Sequence, residues 1–224
     1  VGLLMPDHDP VYKVSIIPRG RALGVTMFLP ERDQYSHSLE KLESMIAALY
    51  GGRIAEELIF GKDKVTTGAS NDIERASQIA RNIVTRFGLN KLLGPINYAG
   101  ADQHDVFLGK AVGKERDFSE QTAFLIDQEV QKLIERNYKR ATKVLKENQK
   151  VLHAMSDALM KYETIDTEQI GDLMAGKTVR APKDWAQTIK KTVSAKKAPA
   201  KRSVKKKPAA TKKVDDSDEE AFES

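Results

Sequence analysis

The sequence contains no cysteine, and this absence excludes several kinds of site. A disulfide framework, a thiolate zinc site, an iron–sulfur cluster and a cysteine nucleophile all require that residue. Long apolar runs are also missing, since the longest fall far short of the roughly 20 residues that a membrane-spanning helix needs, and there is no apolar signal segment. We therefore expect this stretch of chain to be soluble by itself, and any metal to be held by His, Asp or Glu.

The formal charge of +5 on the 224 residues is confined to one end of the chain. Residues 1–187 carry 26 basic and 26 acidic side chains, residues 188–214 carry 11 basic and no acidic ones, and residues 215–224 carry six acidic and no basic ones. A body of about 187 residues can bury roughly 70% of its unfolded surface, so it can form one sizeable core. The Lys-, Ala- and Pro-rich tail offers too little apolar surface to offset the entropy of ordering, so we predict that residues 188–224 are disordered.

The pattern of apolar residues predicts a small β structure followed by helices. Runs at Val11–Ile17 and Ala22–Leu29 alternate in part and are separated by a Pro-x-Gly turn, which predicts a hairpin. Apolar residues then recur at helical spacing from Ser38 to Phe60, across the pair Gly51-Gly52, for which we expect close approach of another backbone. The sequence thus predicts a mainly α fold with a small β-hairpin or sheet near the N-terminus.

Capping signals predict where the later helices begin. Ser70 or Asn71 would cap the next helix, with Glu74 completing a capping box after Asn71. Ser119 would cap the longest helix, which is predicted to end near Asn148. Further helices are predicted over 150–162 and from Asp166 or Thr167 to about Gly176. The glycine-rich stretch 89–117 is long for a structureless connection, which favours a functional or partner-contacting loop.

Local motifs alone do not identify a catalytic site. The histidines at positions 8, 37, 104 and 153 are far apart, so no His-x-x-x-His metal clamp exists, and neither a Gly-x-Ser-x-Gly elbow nor a phosphate-binding loop is present. Asp72 and Glu74 lie at the start of a predicted helix, where the helix dipole favours carboxylates and capping is the simpler interpretation. Glu56 and Glu57, taken alone, suit a solvated helix face.

Several longer strings nevertheless resemble the peptidase domain of the FtsH family of membrane-anchored, ATP-dependent zinc metalloproteases. The strings are VSIIPRGRALGVT at 14–26, LYGGRIAEE at 49–57, TGASNDI at 67–73, IDQEV at 126–130 and ALMKYETI at 158–165. They occur in the family's order and cover about residues 1–187. The resemblance implies a helical zinc-peptidase domain over 1–187.

The resemblance also implies how the zinc is held. In the family, two histidines of a His-Glu-x-x-His helix and a downstream aspartate bind zinc, and the motif glutamate is the general base. The aspartate corresponds to Asp72, which becomes the expected third ligand; three protein ligands leave room for a water whose pKa the zinc lowers. No His-Glu-x-x-His occurs in these 224 residues, and the family places it just before Val1. We therefore expect the chain to be a fragment, although a processed terminus is an alternative, and we expect it to have no catalytic residue and no peptidase activity alone.

Other roles follow from the same resemblance. Glu56 is a candidate to orient a ligand histidine, with a solvent-facing role as the alternative. Gly24, Val25 and Thr26 belong to a strand that resembles the edge on which zinc peptidases align an extended substrate, with an ordinary sheet edge as the alternative. The family further implies degradation of unfolded and membrane proteins, an ATP-binding AAA module, a homo-hexamer, and anchors in the plasma membrane with the peptidase domain facing the cytoplasm.

The charged tail suggests a competing function from another class. Its 11 cations could neutralise several phosphates, so the chain could be a non-catalytic assembly subunit whose tail binds nucleic acid or anionic lipid. The tail lacks aromatic residues for base stacking, and its acidic end could screen the cations, which makes nucleic acid an unlikely partner. A solvated charged extension is the simpler interpretation.

Overall fold

The computed structural model describes residues 1–20, 22–30, 34–99 and 118–182, which belong to the compact unit 1–182. The predicted disordered tail and most of the glycine-rich stretch lie outside these residues. The described strands are β1 (Val11–Ser15), β2 (Val25–Phe28) and β3 (Thr164–Asp166), and the described α-helices are α1 (Leu39–Leu49), α2 (Gly51–Phe60), α3 (Ser70–Thr85), α4 (Glu120–Glu147), α5 (Gln149–Tyr162) and α6 (Thr167–Met174). The predicted mainly α fold with a small sheet is confirmed.

The sheet is antiparallel, with strand order β2-β1-β3. The predicted hairpin forms, but the first strand ends two residues earlier than expected and the second begins three residues later. The turn between them is closed by a bridge between Arg19 and Ala22, with Gly20 at a φ of 61°. The third strand was not predicted from the sequence. Three residues are too few to show alternation, and their partner strand lies about 150 residues away along the chain.

The predicted helix over 38–60 is two helices that meet at Tyr50. Ser38 caps α1 by accepting a hydrogen bond from the Lys41 N–H at 3.1 Å. The expected approach of another backbone to the glycine pair is wrong. A Cβ on Gly51 would meet the Val1 side chain at 3.3 Å, and a Cβ on Gly52 would meet no described atom within 4 Å. The pair therefore marks the junction of two helices rather than a backbone crossing.

The start of α3 also differs from the prediction. Neither Ser70 nor Asn71 caps it; the N-cap position is Ala69, whose side chain cannot accept a hydrogen bond. A 3₁₀ turn at Thr67–Ala69 leads into the helix, and Thr66 caps that turn by accepting from the Gly68 N–H at 3.2 Å. The capping residue therefore lies four residues before Ser70, because the 3₁₀ turn extends the helix backwards.

The remaining helix ends agree with the sequence. Ser119 caps α4 through the Thr122 N–H, and α4 ends at Glu147 with Asn148 as its C-cap. Asp166 and Gln169 form a reciprocal capping box at the start of α6. In the main core, α1, α3 and α4 pack on one another around residues that are wholly buried, among them Ile46, Ala47, Ala76, Ala80 and Val84. None of the helices in the described ranges is long and apolar enough to cross a bilayer.

Candidate functional site

Asp72 lies in the first turn of α3, directly after the 3₁₀ turn that carries the helix start. Its side chain is half-buried, and its carboxylate makes no hydrogen bond or ion pair with any residue in the described ranges. A capping aspartate would accept a backbone N–H, so Asp72 does not cap α3 through a hydrogen bond. Both carboxylate oxygens therefore keep free lone pairs that could bind a ligand from outside the described residues.

Glu56 holds the turn that precedes Asp72. The Thr66 N–H donates to one carboxylate oxygen of Glu56 at 3.2 Å, and the Thr66 hydroxyl donates to the other at 2.8 Å. The same hydroxyl accepts from the Gly68 N–H at 3.2 Å, so one chain of hydrogen bonds runs from α2 into the turn that starts α3. We call this arrangement of Glu56, Thr66 and Gly68 the Glu56 clamp. The Glu56 clamp therefore fixes the start of α3 and, with it, the position of Asp72.

Sequence reasoning selected Glu56 but not the residue that it binds. Within the described residues its carboxylate faces Thr66 rather than a histidine, and it is not merely solvated. The available signal for Thr66 was its position two residues before Gly68, ahead of a helix, where threonine hydroxyls cap turns. A contact across ten residues is not visible in a local pattern, which is why the clamp could not be predicted.

The described residues do not by themselves form a zinc site. No group of three or more His, Asp or Glu side chains that could hold a metal occurs within them. The His8 ring packs against the Phe28 ring at a tilt of 60°, with ring centroids 4.7 Å apart. His37 and His153 are exposed, and His104 lies outside the described residues. Asp72 therefore belongs to no metal-binding group that the described residues form alone.

The candidate substrate strand β2 is at an edge of the sheet, since β1 is the one strand of the described ranges that pairs with it. Gly24 precedes it, and a Cβ there would lie 2.9 Å from the carbonyl oxygen of Ser15, so close approach of β1 requires glycine. The Leu29 N–H donates to Pro10 at 3.0 Å, and Val14 lies opposite Thr26. The alternation of an antiparallel ladder then turns the backbone groups of Thr26 towards the open edge.

Glu57, the residue after Glu56, makes a second set of polar contacts on a different face of α2. The Glu57 carboxylate accepts from Arg53 Nε at 3.1 Å and from the Tyr138 hydroxyl of α4, and the hydrogen bond from Tyr138 is the main reason that the pKa of Glu57 is lowered. Burial, and then the hydrogen bond to Glu57, raise the pKa of Tyr138 to about 12. Glu57 thus joins α2 to α4, whereas Glu56 joins α2 to the Asp72 turn.

Comparison with known proteins shows to which family the chain belongs. The pattern of peptidase family M41 matches residues 1–173. Proteins named ATP-dependent zinc metalloprotease FtsH are 62% identical over 189 residues in Photobacterium profundum, 56% over 191 residues in Buchnera aphidicola subsp. Schizaphis graminum and 54% over 187 residues in Haemophilus influenzae.

These matches cover 84–85% of the chain but only 27–31% of those relatives. The chain thus spans less than a third of the length of the relatives that it matches. Because the family pattern covers most of the chain, and because relatives that share more than half of the aligned residues carry the same name, the chain belongs to peptidase family M41.

Proposed function

We propose that this chain is part of a zinc metalloendopeptidase, to which it contributes Asp72 as a zinc ligand and β2 as the strand that aligns the substrate. The observation that carries this proposal is the state of Asp72, whose carboxylate is free of protein partners in the described residues while the Glu56 clamp fixes its position. The remaining zinc ligands and the general base lie outside the described residues. The relatives named as zinc metalloproteases support the same chemistry.

The chemistry of Asp72 suits this role. A carboxylate oxygen binds zinc at about 2.0–2.2 Å, and the Asp72 carboxylate can do so without giving up any contact with a described residue. The start of a helix favours a negative charge, which suits a carboxylate that binds a metal cation. Glu56 acts as a positioning residue for Asp72 through Thr66.

The edge of β2 would bind substrate by its main chain. An extended peptide that pairs with β2 receives hydrogen bonds from backbone groups, which suits a protease that accepts many sequences. Thr26 presents its N–H and C=O on that side, and Gly24 lets the strand lie close to β1. Substrate alignment thus needs few specific side chains.

The wider assignment rests on the names of the relatives and on the resemblance in sequence. We extend ATP dependence to the whole protein, with an ATP-binding module outside this chain that unfolds protein substrates, including membrane proteins. A homo-hexamer anchored in the plasma membrane, with this part facing the cytoplasm, completes the proposal. Peptide hydrolysis then requires groups beyond these 224 residues, and the chain alone has no peptidase activity.

Zinc content measured by mass spectrometry after desalting tests the role of Asp72. The 224-residue chain should retain little zinc and should not hydrolyse casein. A chain extended upstream through the expected His-Glu-x-x-His segment should retain zinc stoichiometrically. In that longer chain Asp72→Asn should release most of the zinc, and Glu56→Gln should release part of it by loosening the Asp72 turn.

Asp63→Asn is the matched control, because Asp63 is an exposed carboxylate in a separate 3₁₀ turn, Lys62–Lys64, which follows α2. It should leave the zinc content unchanged. Chelator-sensitive casein hydrolysis by the 224-residue chain, or full zinc retention by the Asp72→Asn variant, would contradict the proposal.

A proline at Thr26 tests the alignment of substrate in the active, longer protein. Thr26→Pro removes an N–H that points to the open edge while keeping the ladder to β1, so KM for an unfolded protein substrate should rise with little change in zinc content. Thr26→Ala keeps the N–H and serves as the control. Equal KM values for the two variants would show that β2 is an ordinary sheet edge.

A further inference from the structure

A groove with an apolar floor lies between α2 and α4, on a different face of α2 from the Glu56 clamp. It has a volume of about 690 Å³, which is within the usual range of ligand pockets, and we call it the α2/α4 groove. Ile54, Leu58 and the ring of Tyr138 supply its apolar surface. Ile54 is almost completely buried, so it forms the deep part of the floor.

The polar groups of the floor are already bonded within the protein. The hydroxyl of Tyr138 donates to Glu57, which also accepts from Arg53, and the Tyr138 ring meets Tyr50 edge-on at 5.3 Å. A ligand therefore need not replace any hydrogen bond to settle on this floor. What the floor offers a ligand is mainly apolar surface, which favours an apolar side chain over a polar one.

The rim of the groove carries four lysines and one glutamate, Glu147, so its net charge is positive. Lys139, Lys143 and Lys146 follow one another at spacings of four and three residues, so they form a row about 10 Å long on one face of α4. Lys62 lines the groove as well, and its charge helps to lower the pKa of Glu57. We call these four residues the lysine rim.

The charges of the lysine rim are largely available. Lys139 and Lys143 approach Glu135 and Glu147 only at 3.6 and 3.9 Å, in exposed pairs that contribute little. Lys146 forms no ion pair with another residue of the described ranges. A row of such cations beside an apolar floor is complementary to a ligand that carries several negative charges around an apolar group.

We propose that the α2/α4 groove binds an acidic peptide segment, with one apolar side chain on the floor and its carboxylates along the lysine rim. A single-headed anion such as a fatty acid would meet one or two of the lysines, whereas a row of this length matches carboxylates on successive residues of a peptide. Nucleic acid fits less well, because base stacking requires open aromatic faces and the floor is formed mainly by aliphatic side chains.

Fluorescence anisotropy on the full 224-residue chain tests this proposal. The probe is a labelled decapeptide with six glutamates around a central leucine, at 150 mM salt. One control peptide has serine in place of leucine, and another has glutamine in place of glutamate. The basic tail attracts every acidic peptide equally, so the difference between leucine and serine reports the floor. We expect the leucine peptide to bind about tenfold more tightly than the serine peptide.

Two pairs of substitutions separate the lysine rim from general charge. Lys143→Gln with Lys146→Gln should weaken binding of the leucine peptide about fivefold to tenfold, since two charge contacts are lost. Lys91→Gln with Lys150→Gln removes the same charge from exposed positions that do not line the groove, and should change the affinity less than twofold. These lysines are exposed, so all four substitutions should leave the fold intact, which circular dichroism checks.

Photo-crosslinking places the bound peptide. A photoreactive leucine at the centre of the peptide should label peptides from α2 and α4, around Leu58 and Tyr138. Labelling confined to residues 183–224, equal affinities for the leucine and serine peptides, or equal effects of the two lysine pairs would each overturn the proposal. Tighter binding of a labelled oligothymidine with the same dependence on Lys143 and Lys146 would replace the peptide with nucleic acid.

Discussion

Two apolar clusters of this chain differ in the contacts that surround them. The larger one joins α1, α3 and α4, and alanines with no exposed surface let the helices approach closely. The smaller one lies where α5 and α6 cover the sheet, and Ile165 is fully buried there. Side-chain hydrogen bonds surround this cluster: Ser15 bonds to Thr164, Thr167 to Val11 and Tyr12, and Gln169 to Arg180. The helical cluster therefore depends mainly on packing, whereas the sheet region depends on polar contacts made by few residues.

The two candidate sites lie at the margin of the packed core rather than within it. The Glu56 clamp and the α2/α4 groove both use α2, and α2 has only one fully buried side chain, Ile54. Its other residues are free to carry polar contacts without a cost to the packing of α1, α3 and α4. A helix at the margin of the core can thus serve two surfaces at once.

The largest effect should come from the centre of the helical cluster. Ile46→Ala removes a side chain with no exposed surface and leaves a cavity between helices, so the free energy of unfolding should fall by about 2–5 kcal/mol. The control is Ile59→Ala on α2, where the side chain is 46% exposed, and it should lower the free energy of unfolding much less than Ile46→Ala does. Urea denaturation followed by circular dichroism measures both. Similar losses for the two variants would show that the helical cluster does not depend on packing.

Gln169 offers the corresponding test of the sheet region. Its side-chain carbonyl accepts from the Asp166 N–H at 3.1 Å and its amide donates to the Arg180 carbonyl at 2.8 Å, and the residue is 1% exposed. Gln169→Ala leaves both backbone groups without these partners, which should cost about 1–3 kcal/mol. Hydrogen exchange should rise in β3 and α6 and stay unchanged in α1 and α3.

Gln128→Ala on the exposed face of α4 is the control for that experiment and should leave exchange unchanged throughout. If Gln169→Ala raised exchange equally in α1 and α3, the two clusters would unfold as one unit and the comparison would fail.

The sequence predicted those features that depend on neighbours along the chain. The caps at Ser119 and Asp166 follow from local patterns of side chain and helix start, and the structure confirms the helices that they begin. The break at Tyr50 was missed because apolar spacing continues through it. The strand β3 was missed because its pairing with β1 joins distant segments.

The candidate site, too, could be predicted only in part from the sequence. Asp72 and Glu56 could be selected from the sequence only by resemblance to a family, because a lone carboxylate at a helix start has a simpler explanation. The bonds from Thr66 to Glu56, and from Tyr138 to Glu57, are tertiary contacts that no local pattern encodes. Glu56 and Glu57 are the same residue type, so it is their position on α2 that decides that Glu56 binds the turn before α3 and Glu57 binds α4.

The smallest effect concerns the ion pair that fixes the segment after α6. Arg180 donates to both carboxylate oxygens of Asp172, at 2.7 and 2.8 Å, and this hydrogen bonding lowers the pKa of Asp172 to about 2. Since the folded pKa lies below the ordinary value of 3.8, the pair stabilises the fold above about pH 4, and that stabilisation is lost as the pH falls from 3.8 through 2. Arg180 is 54% exposed, so solvent screens the pair and the change in melting temperature should be small.

Arg180→Gln should therefore lower the melting temperature slightly at pH 7, and the two proteins should converge as the pH approaches 2. The carboxyl carbon signal of Asp172 in nuclear magnetic resonance should titrate near 2 in the original chain and move towards 3.8 in the variant. Arg136→Gln, which breaks a contact with Glu43 in the helical cluster, should leave the Asp172 titration unchanged. An unchanged Asp172 titration in Arg180→Gln would mean that this ion pair does not stabilise the sheet region.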